Sequence, residues 1–525
     1  LKVSDEPWTE DPAEPDVSFD GCHHAREWAT VEIPLFYADT LLSAYGSVPL
    51  IQDLVDNHEI WLIPIVNVDG YFYDYSGPYW WRKDRQPFGG SIGTDPNRNY
   101  NGCCNADPYG DWGAIPSGAS VTHDPSSNVF CGAYGEWARE IAAYAAFFRM
   151  HEVSANISYH SSGEEVLWPW GYTPTPTPDG AVYTQYAQEI ASRIHRLGSG
   201  YYDPSQWLYP TQGSTDDYFY GWPHYVGGYP CLSFTIEVGT DFYQPQADLD
   251  HICRENFNGA FWLVQHSDSI RENLLGEVAA PSIAEMGTNN TGEYTVTWLP
   301  RKPERNHPDL WQLDELSQYS FLLDDLESGT SLWDLQGFLW STARSFSGTH
   351  SLYSEALDNM SYTATTLHPY IVQPGDSLSF WCWYDLEYDF DVTVVEVSLD
   401  GNEWIQLDQR YNGSSGGWIR RSYSLEPWVG KSIYVRFRAM CDDVALNEGF
   451  YVDDVYPVPL FASVQTLSSS IPDTFYQVAG QPSGHYWYRA RGHNSWGWGN
   501  FSILEDIEVS TGTVEDIASG GRLDF

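Results

Sequence analysis

Positive charge is scarce in this chain of 525 residues. Lysine occurs only at Lys2, Lys83, Lys302 and Lys431, and 25 basic residues face 72 acidic ones, a formal net charge of −47. Without a basic face nothing neutralises phosphates, so nucleic acid is excluded as a partner. No run of about 18 apolar residues occurs, which excludes a helical membrane span. The eight cysteines contain no CxxC pair, which argues against a cysteine zinc site. Leu1 opens the chain and no signal peptide is visible, so export is not read directly. What is abundant is aromatic: 24 Trp and 37 Tyr, with 42% of residues hydrophobic, a globular composition that favours strands. An even cysteine count in such a chain suits an oxidising, extracellular compartment. The acid excess suits solubility of an exported protein or hydration in high salt, and acid beside a pocket would draw cationic substrates.

The length calls for about two to four domains. Residues 1–275 alternate strand and helix. Asp16–Asp20, Ile60–Val68 (IWLIPIVNV), Asn156–His160 and Cys231–Glu237 (CLSFTIE) read as strands; Trp28–Tyr45, Trp137–Met150, Tyr183–Leu197 and His251–Gln265 read as helices. That alternation predicts an α/β domain with a mixed central sheet flanked by helices. Beyond about residue 277, short aromatic and β-branched runs separated by turn residues predict all-β sandwich or jelly-roll modules. Glu293–Trp298, Leu310–Leu316 and Tyr486–Ser502 resemble strands of a fibronectin type III module at 281–321 plus 461–510. Ser345–Tyr353, Val395–Leu407 and Phe450–Val455 resemble an inserted MAM-like jelly roll at 322–460, and 511–525 reads as a tail. Asp442, Asp443, Asp453 and Asp454 offer oxygen ligands for Ca2+ in that module. The β modules are expected to bind a glycan, a surface or a protein.

Chemistry concentrates in the first half. GCHHAREW (21–28) sets His24 and Glu27 three residues apart, on one face of a helical turn, where an imidazole and a carboxylate meet one metal ion. His160 ends an apolar strand in ISYHSSGE, where α/β sheets gather ligands, and completes a two-His, one-Glu set with a position left open. Glu237 ends LSFTIE, and beside a metal it would serve as general base. WRKDR supplies Arg82, and DPNRN supplies Asn97 and Arg98, donors suited to an oxyanion and a carboxylate.

Together HAREW (24–28), WRK (81–83), NRN (97–99), SYHS (158–161), the tyrosine segment 209–218 and TIE (235–237) resemble the zinc carboxypeptidase family of the A/B type over about residues 1–270. The resemblance implies a secreted exopeptidase acting on the C-termini of peptides or proteins, with one Zn2+ on His24, Glu27 and His160. It implies Glu237 as base and Arg82 as oxyanion partner. Asn97, Arg98 and Tyr209 would hold the terminal carboxylate, and Arg26 would lie along the peptide groove. In YPTQGSTDDY (209–218), Asp216 falls at the pocket-floor position that carries Asp in enzymes preferring Lys or Arg. Ser214 and Tyr218 depart from the common form of this segment. NGCC (101–104) resembles a stretch of bacterial secreted, carboxypeptidase T-like members. Cys103 or Cys104 is expected to pair with Cys131, Cys231 with Cys253, and Cys382 with Cys441. Only 23 residues precede His24, fewer than the family's opening strand and helix need, so the chain is expected to be truncated at both ends. Two other readings compete. An inactive adhesion protein would have lost a zinc ligand or Glu237. A hydrolase of cell-wall peptides or polyglutamate tails would need a pocket for an acidic group, which Asp216 opposes.

Overall fold

The apolar segments of the first half assemble into one seven-stranded sheet. A computed structural model describes the chain apart from residues 89, 102–111, 114, 117, 302–307, 358–359, 389, 408–409, 442–446 and 512–525. The strands are β1 (Lys2–Val3), β2 (Asp16–Gly21), β3 (Glu59–Ile63), the hairpin β4 (Pro87–Phe88) and β5 (Ser91–Ile92), β6 (Val153–His160), β7 (Glu165–Leu167), β8 (Asp203–Ser205) and β9 (Leu232–Glu237). The sheet runs β1-β3-β2-β6-β9-β7-β8. Its centre, β3, β2, β6 and β9, is parallel, while β1 and β7 join antiparallel to their neighbours β3 and β9. Strand β6 is buried at every position, as a strand covered on both faces must be.

The helices are α1 (Ala29–Ala44), α2 (Pro49–Val55), α3 (Val68–Tyr75), α4 (Arg139–Met150), α5 (Gly180–Ala191), α6 (Thr215–Trp222), α7 (Gln246–Gln265) and α8 (Ser267–Asn273). Ile33, Tyr37, Ile190 and Leu263 of α1, α5 and α7 pack with one set of strand side chains. Ile141, Phe148, Phe219 and Trp222 of α4 and α6 form a separate cluster. The apolar run IWLIPIVNV is not one strand. β3 stops at Ile63, because Pro64 has no N–H to give the ladder, and Asn67 caps α3 by accepting from the Gly70 N–H. Helix α5 ends at Ala191, short of the expected Leu197.

The second half is rich in β strands. One core includes Val296, Trp311 and Tyr488, and a second includes Leu352, Phe380 and Phe437. Strands Leu310–Asp324 and Gly449–Ile471 pair antiparallel and run through both regions, so the expected boundaries at 321/322 and 460/461 fall inside continuous strands. In Ser377–Asp385 buried and half-buried positions alternate, the period of a strand covered on one face.

Among the described residues the expected Cys231–Cys253 and Cys382–Cys441 pairs are not formed. Cys131, Cys231, Cys253 and Cys382 are buried thiols, as is Cys22. Cys231 packs with the α4 and α6 cluster and Cys253 with the α7 cluster. Cys382 lies opposite Ile419 and Val452, not Cys441. Cys103 and Cys104 lie outside the described residues, as do Asp442, Asp443 and most of the tail. Nothing among the described residues supports calcium here: Asp453 Oδ2 accepts from the N–H groups of Phe346 (2.6 Å) and Ser347 (3.1 Å), and Oδ1 from that of Asp454 (2.7 Å).

Behind β4 and β5 lies the buried Asp84. Its Oδ1 accepts from the N–H groups of Gln86 (3.0 Å) and Thr94 (2.8 Å), while Oδ2 meets no hydrogen-bond donor. Burial pushes its carboxyl up to about 7 from 3.8. The native state therefore keeps a proton that the unfolded chain releases, and stability falls as pH rises from about 4 to about 7. Asp84→Asn should remove that fall while keeping the Oδ1 acceptor. Chemical unfolding of both proteins at pH 4, 5.5 and 7.5 checks this, and parallel pH profiles would refute it.

Candidate active site

Three neighbouring parallel strands deliver the site at their C-terminal ends. In register, Gly21 of β2 faces Tyr159 of β6, and His160 of β6 faces Glu237 of β9. Just after β2 the chain turns sharply. A Cβ on Gly21 would lie 2.3 Å from the Thr30 carbonyl, so only glycine lets the start of α1 pack this close. His24 to Glu27 form a hydrogen-bonded turn ahead of α1 rather than its first turn: Glu27 N donates to His24 O (3.1 Å), and Thr30 Oγ1 donates to Glu27 O (2.6 Å).

This brings His24, Glu27 and His160 together, all buried, with one ligand atom of each within 4.8 Å of the others; they are the sole metal-binding grouping among the described residues. Both imidazoles present Nδ1 to the centre. His24 Nδ1 lies 2.7 Å from Glu27 Oε1 and 3.3 Å from His160 Nδ1. Their Nε2 atoms are occupied elsewhere. His24 Nε2 is held by Asp95 Oδ1 (3.1 Å), and His160 Nε2 by Ser158 Oγ (3.2 Å), whose own proton goes to Asp20 Oδ1 (2.7 Å). Fixing the outer nitrogen fixes the tautomer and leaves the inner one a lone pair. Burial pushes the His160 imidazole down to about 4, so it is neutral as a metal ligand must be. Two imidazoles and one carboxylate at these separations fit a zinc ion with one position open.

All ten expected site residues line one cavity of about 430 Å³: His24, Arg26, Glu27, Arg82, Asn97, Arg98, His160, Tyr209, Asp216 and Glu237. Arg82 donates from Nε and Nη2 to Asp95 Oδ2 (2.8 Å each). Burial alone would raise the Asp95 carboxyl; Arg82, His24 and Arg98 hold it well below the usual carboxylate range. Asn97 Oδ1 accepts from Thr215 N (2.8 Å) and Oγ1 (2.9 Å), which fixes its amide orientation. Arg98 donates to the Ser120 (2.7 Å) and Asn97 (2.6 Å) carbonyls. Arg26 stacks on Phe242 at 4.2 Å. Tyr209 is 46% exposed at the rim. Asp216 is buried in the first turn of α6, and burial raises its carboxyl. Burial, then the charge of Glu27, pushes Glu237 up to about 8, against the pull of Arg82.

The zinc carboxypeptidase family profile matches residues 1–259. A zinc carboxypeptidase of Saccharothrix mutabilis subsp. capreolus is 30% identical over 281 residues, 51% of this chain and 61% of that protein. Human carboxypeptidase B is 29% identical over 254 residues, 46% of this chain and 57% of that protein. The crystal structure of thrombin activatable fibrinolysis inhibitor aligns with a TM-score of 0.44 at 26% identity, covering 52% of this chain and 65% of that one. Residues 1–259 belong to the zinc carboxypeptidase family. The chain thus spans less than two thirds of the curated relatives it matches, and the carboxypeptidase region is its first half.

Within this carboxypeptidase region the sequence reading passed over Asp95, Asp20, Ser158 and His23. Asp95 stands inside DPNRN, so it was visible as a motif residue without a role. His23 is fully buried, with Nδ1 3.2 Å from Asp20 and Nε2 2.7 Å from the Tyr100 hydroxyl. Replacing Asp95 by Asn keeps a hydrogen-bond acceptor for His24 but removes its charge. Zinc affinity of the carboxypeptidase should then fall about 10–100-fold. Competition against a chelator measures it; an unchanged affinity would show that Asp95 does not support His24.

Proposed function

We propose that the first half of this chain is a zinc-dependent exopeptidase that removes the C-terminal residue of peptides, with preference for Lys or Arg. One observation carries the reading: the His24, Glu27, His160 centre opens into the same cavity as Glu237, three arginines and a buried Asp216. Zinc bound there supplies Lewis acidity toward the scissile carbonyl and the attacking water. Glu237, at the end of β9 beside His160, accepts the proton of that water; its raised affinity for protons suits a base that later returns one to the leaving amine. Arg82, half-fixed by Asp95, offers N–H groups where negative charge develops. Asn97, Arg98 and Tyr209 grip the terminal carboxylate, and that grip decides which peptide bond reaches the centre. Arg26 flanks the upstream peptide.

The preference for cationic residues rests on Asp216. It lines the cavity together with Gly171, Thr211 and Thr235, and its hydrogen-bond partners among the described residues include Ser214 and Thr235 but no Lys or Arg. A guanidinium or ammonium entering there would offset the cost of burying the carboxylate. An extracellular setting belongs to the same proposal, supported by the acid excess of the chain. The division of the β half into a fibronectin-like sandwich and an inserted jelly roll is likewise proposed, supported by its two separate cores. Binding of a glycan or protein surface by that half is supported by the exposed rings of Trp340 and Phe346, stacked on His350 and Trp381.

Hydrolysis of blocked dipeptides ending in Arg and in Phe, with and without chelator, tests the proposal. Chelator-sensitive cleavage favouring Arg is expected, and activity that survives zinc removal would sink it. Glu237→Gln should keep bound zinc and lower kcat by about 100-fold or more. Asp216→Leu should lower kcat/KM for the Arg peptide by about 100-fold, while sparing the Phe peptide. Equal losses on both peptides would retire Asp216 as the specificity group.

A further inference from the structure

We infer that the β half is a working part of the active site: its strands Val392–Ser398 and Ser432–Met440 hold the segment 112–131, which in turn positions Arg98 and the Tyr209 loop. This rests on the reading of those two residues as the carboxylate grip.

The segment has two working faces. On one, Trp112, Ile115, Val121 and Cys131 share a buried core with Val394 and Met440 of the β half. The side chain of Arg438, 1% exposed, donates from Nη2 to the Trp112 carbonyl. Gly113 sits at φ +81°, and a Cβ there would lie 2.6 Å from Met440 Sδ, so the chain is pressed against that side chain. Arg410 of the β half lies over the rings of Phe88 (4.9 Å) and Phe130 (5.8 Å).

On the other face the segment's backbone receives the site. Ser120 O accepts from Arg98 Nε (2.7 Å), and Ser120 N donates to Pro210 O (3.0 Å), one residue beyond Tyr209. Pro125 O accepts from Lys83 Nζ (3.0 Å), Phe130 O from Asp95 N (2.8 Å), and Cys131 O from Asn99 Nδ2 (2.7 Å). Residues 83, 95, 98 and 99 are the neighbours or members of the set that lines the cavity.

Among its described residues the segment has no helix and no ladder beyond one isolated bridge, Thr122 with Phe130. Its own bonds, such as Thr122 N to Val129 O (3.1 Å), Cys131 N to Thr122 O (3.0 Å) and His123 Nε2 with Gly113 O (2.8 Å), close turns rather than a helix or sheet, and ordering it still costs conformational entropy that packing must offset. The β half supplies that packing from the rear. Of the site's side chains the segment bonds directly to Arg98, and it meets Asp95 only at the backbone N–H; loosening it should displace the Arg98 guanidinium first and so weaken carboxylate binding with little effect on the chemical step.

The full chain carrying Val394→Ala and Met440→Ala tests this, with Leu378→Ala as a control in the β core away from the interface. For a blocked dipeptide ending in Arg, the double variant should raise KM about tenfold, with kcat and bound zinc near the parent's. Amide hydrogen exchange across 112–131 should accelerate. Leu378→Ala should speed exchange within its own β core and leave KM unchanged. Unchanged KM in the double variant despite faster exchange in strand 392–398 would overturn the inference. So would an equal KM rise in Leu378→Ala. Should the parent neither cleave nor bind the peptide, the exopeptidase reading fails. The exchange of 112–131 still decides whether the β half orders the segment, and unchanged exchange there overturns that part on its own.

Discussion

The carboxylate of Asp95 has no access to water, and a buried charge persists only where partners replace its hydration. Its partners are His24 on one oxygen, Arg82 on the other, and the Asn97 N–H, which donates to Oδ1 at 3.0 Å. A single anion thus sets the tautomer of a metal ligand, the direction of the guanidinium proposed to face the oxyanion, and the start of the Asn97–Arg98 pair. Moving any one of these would leave a desolvated charge short of a partner. The geometry between the metal centre and the carboxylate grip is therefore held by electrostatic necessity rather than by side-chain packing alone.

Asp20 plays the corresponding part within the sheet. It lies in β2, fully buried, and accepts from Ser158 and Asn156 of β6 and from the Tyr144 hydroxyl of α4. Through Ser158 it reaches His160; through His23 it reaches Thr215, and Thr215 fixes Asn97. Parallel β2 and β6 bring Asp20 to Asn156 and Ser158, 136 and 138 residues away in sequence. A fully satisfied buried network of this kind specifies one arrangement, because each partly satisfied alternative costs an unpaired polar group.

What could be read from the sequence follows from distance along the chain. His24 and Glu27 announce themselves because three residues of spacing fix their geometry, and the apolar strands ending at His160 and Glu237 announce the sheet edge where ligands gather. Asp95 carried no role because its partner His24 is 71 residues away. The seat of Trp112 on Arg438, 326 residues away, leaves no local pattern at all. Helix α3 was hidden by the apolar run before it, where Pro64 and Asn67 outweigh hydrophobicity. The cysteines misled for a related reason: an even count says nothing about proximity, and Cys231 and Cys253 pack in different clusters.

Charge acts on two scales here. The net −47 is spread over the whole chain, yet three of its 25 basic residues, Arg26, Arg82 and Arg98, line one cavity. Beyond about 8–10 Å salt screens the surface field, so the acidic surface shapes only the encounter and favours cationic peptides over acidic ones. Inside the cavity screening is weak, and the arginines, set among Glu27, Glu165, Asp216 and Glu237, are the groups proposed to draw a carboxylate that the surface as a whole would repel. Asp216, in the role proposed for it, would reverse the sign again within the cavity. Under the proposed preference, a peptide that satisfied all three layers would be cationic in its terminal side chain and anionic at its terminus. That alternation of sign would give the proposed enzyme a selectivity that no single patch could, since a ligand attracted by one layer alone is repelled by the next.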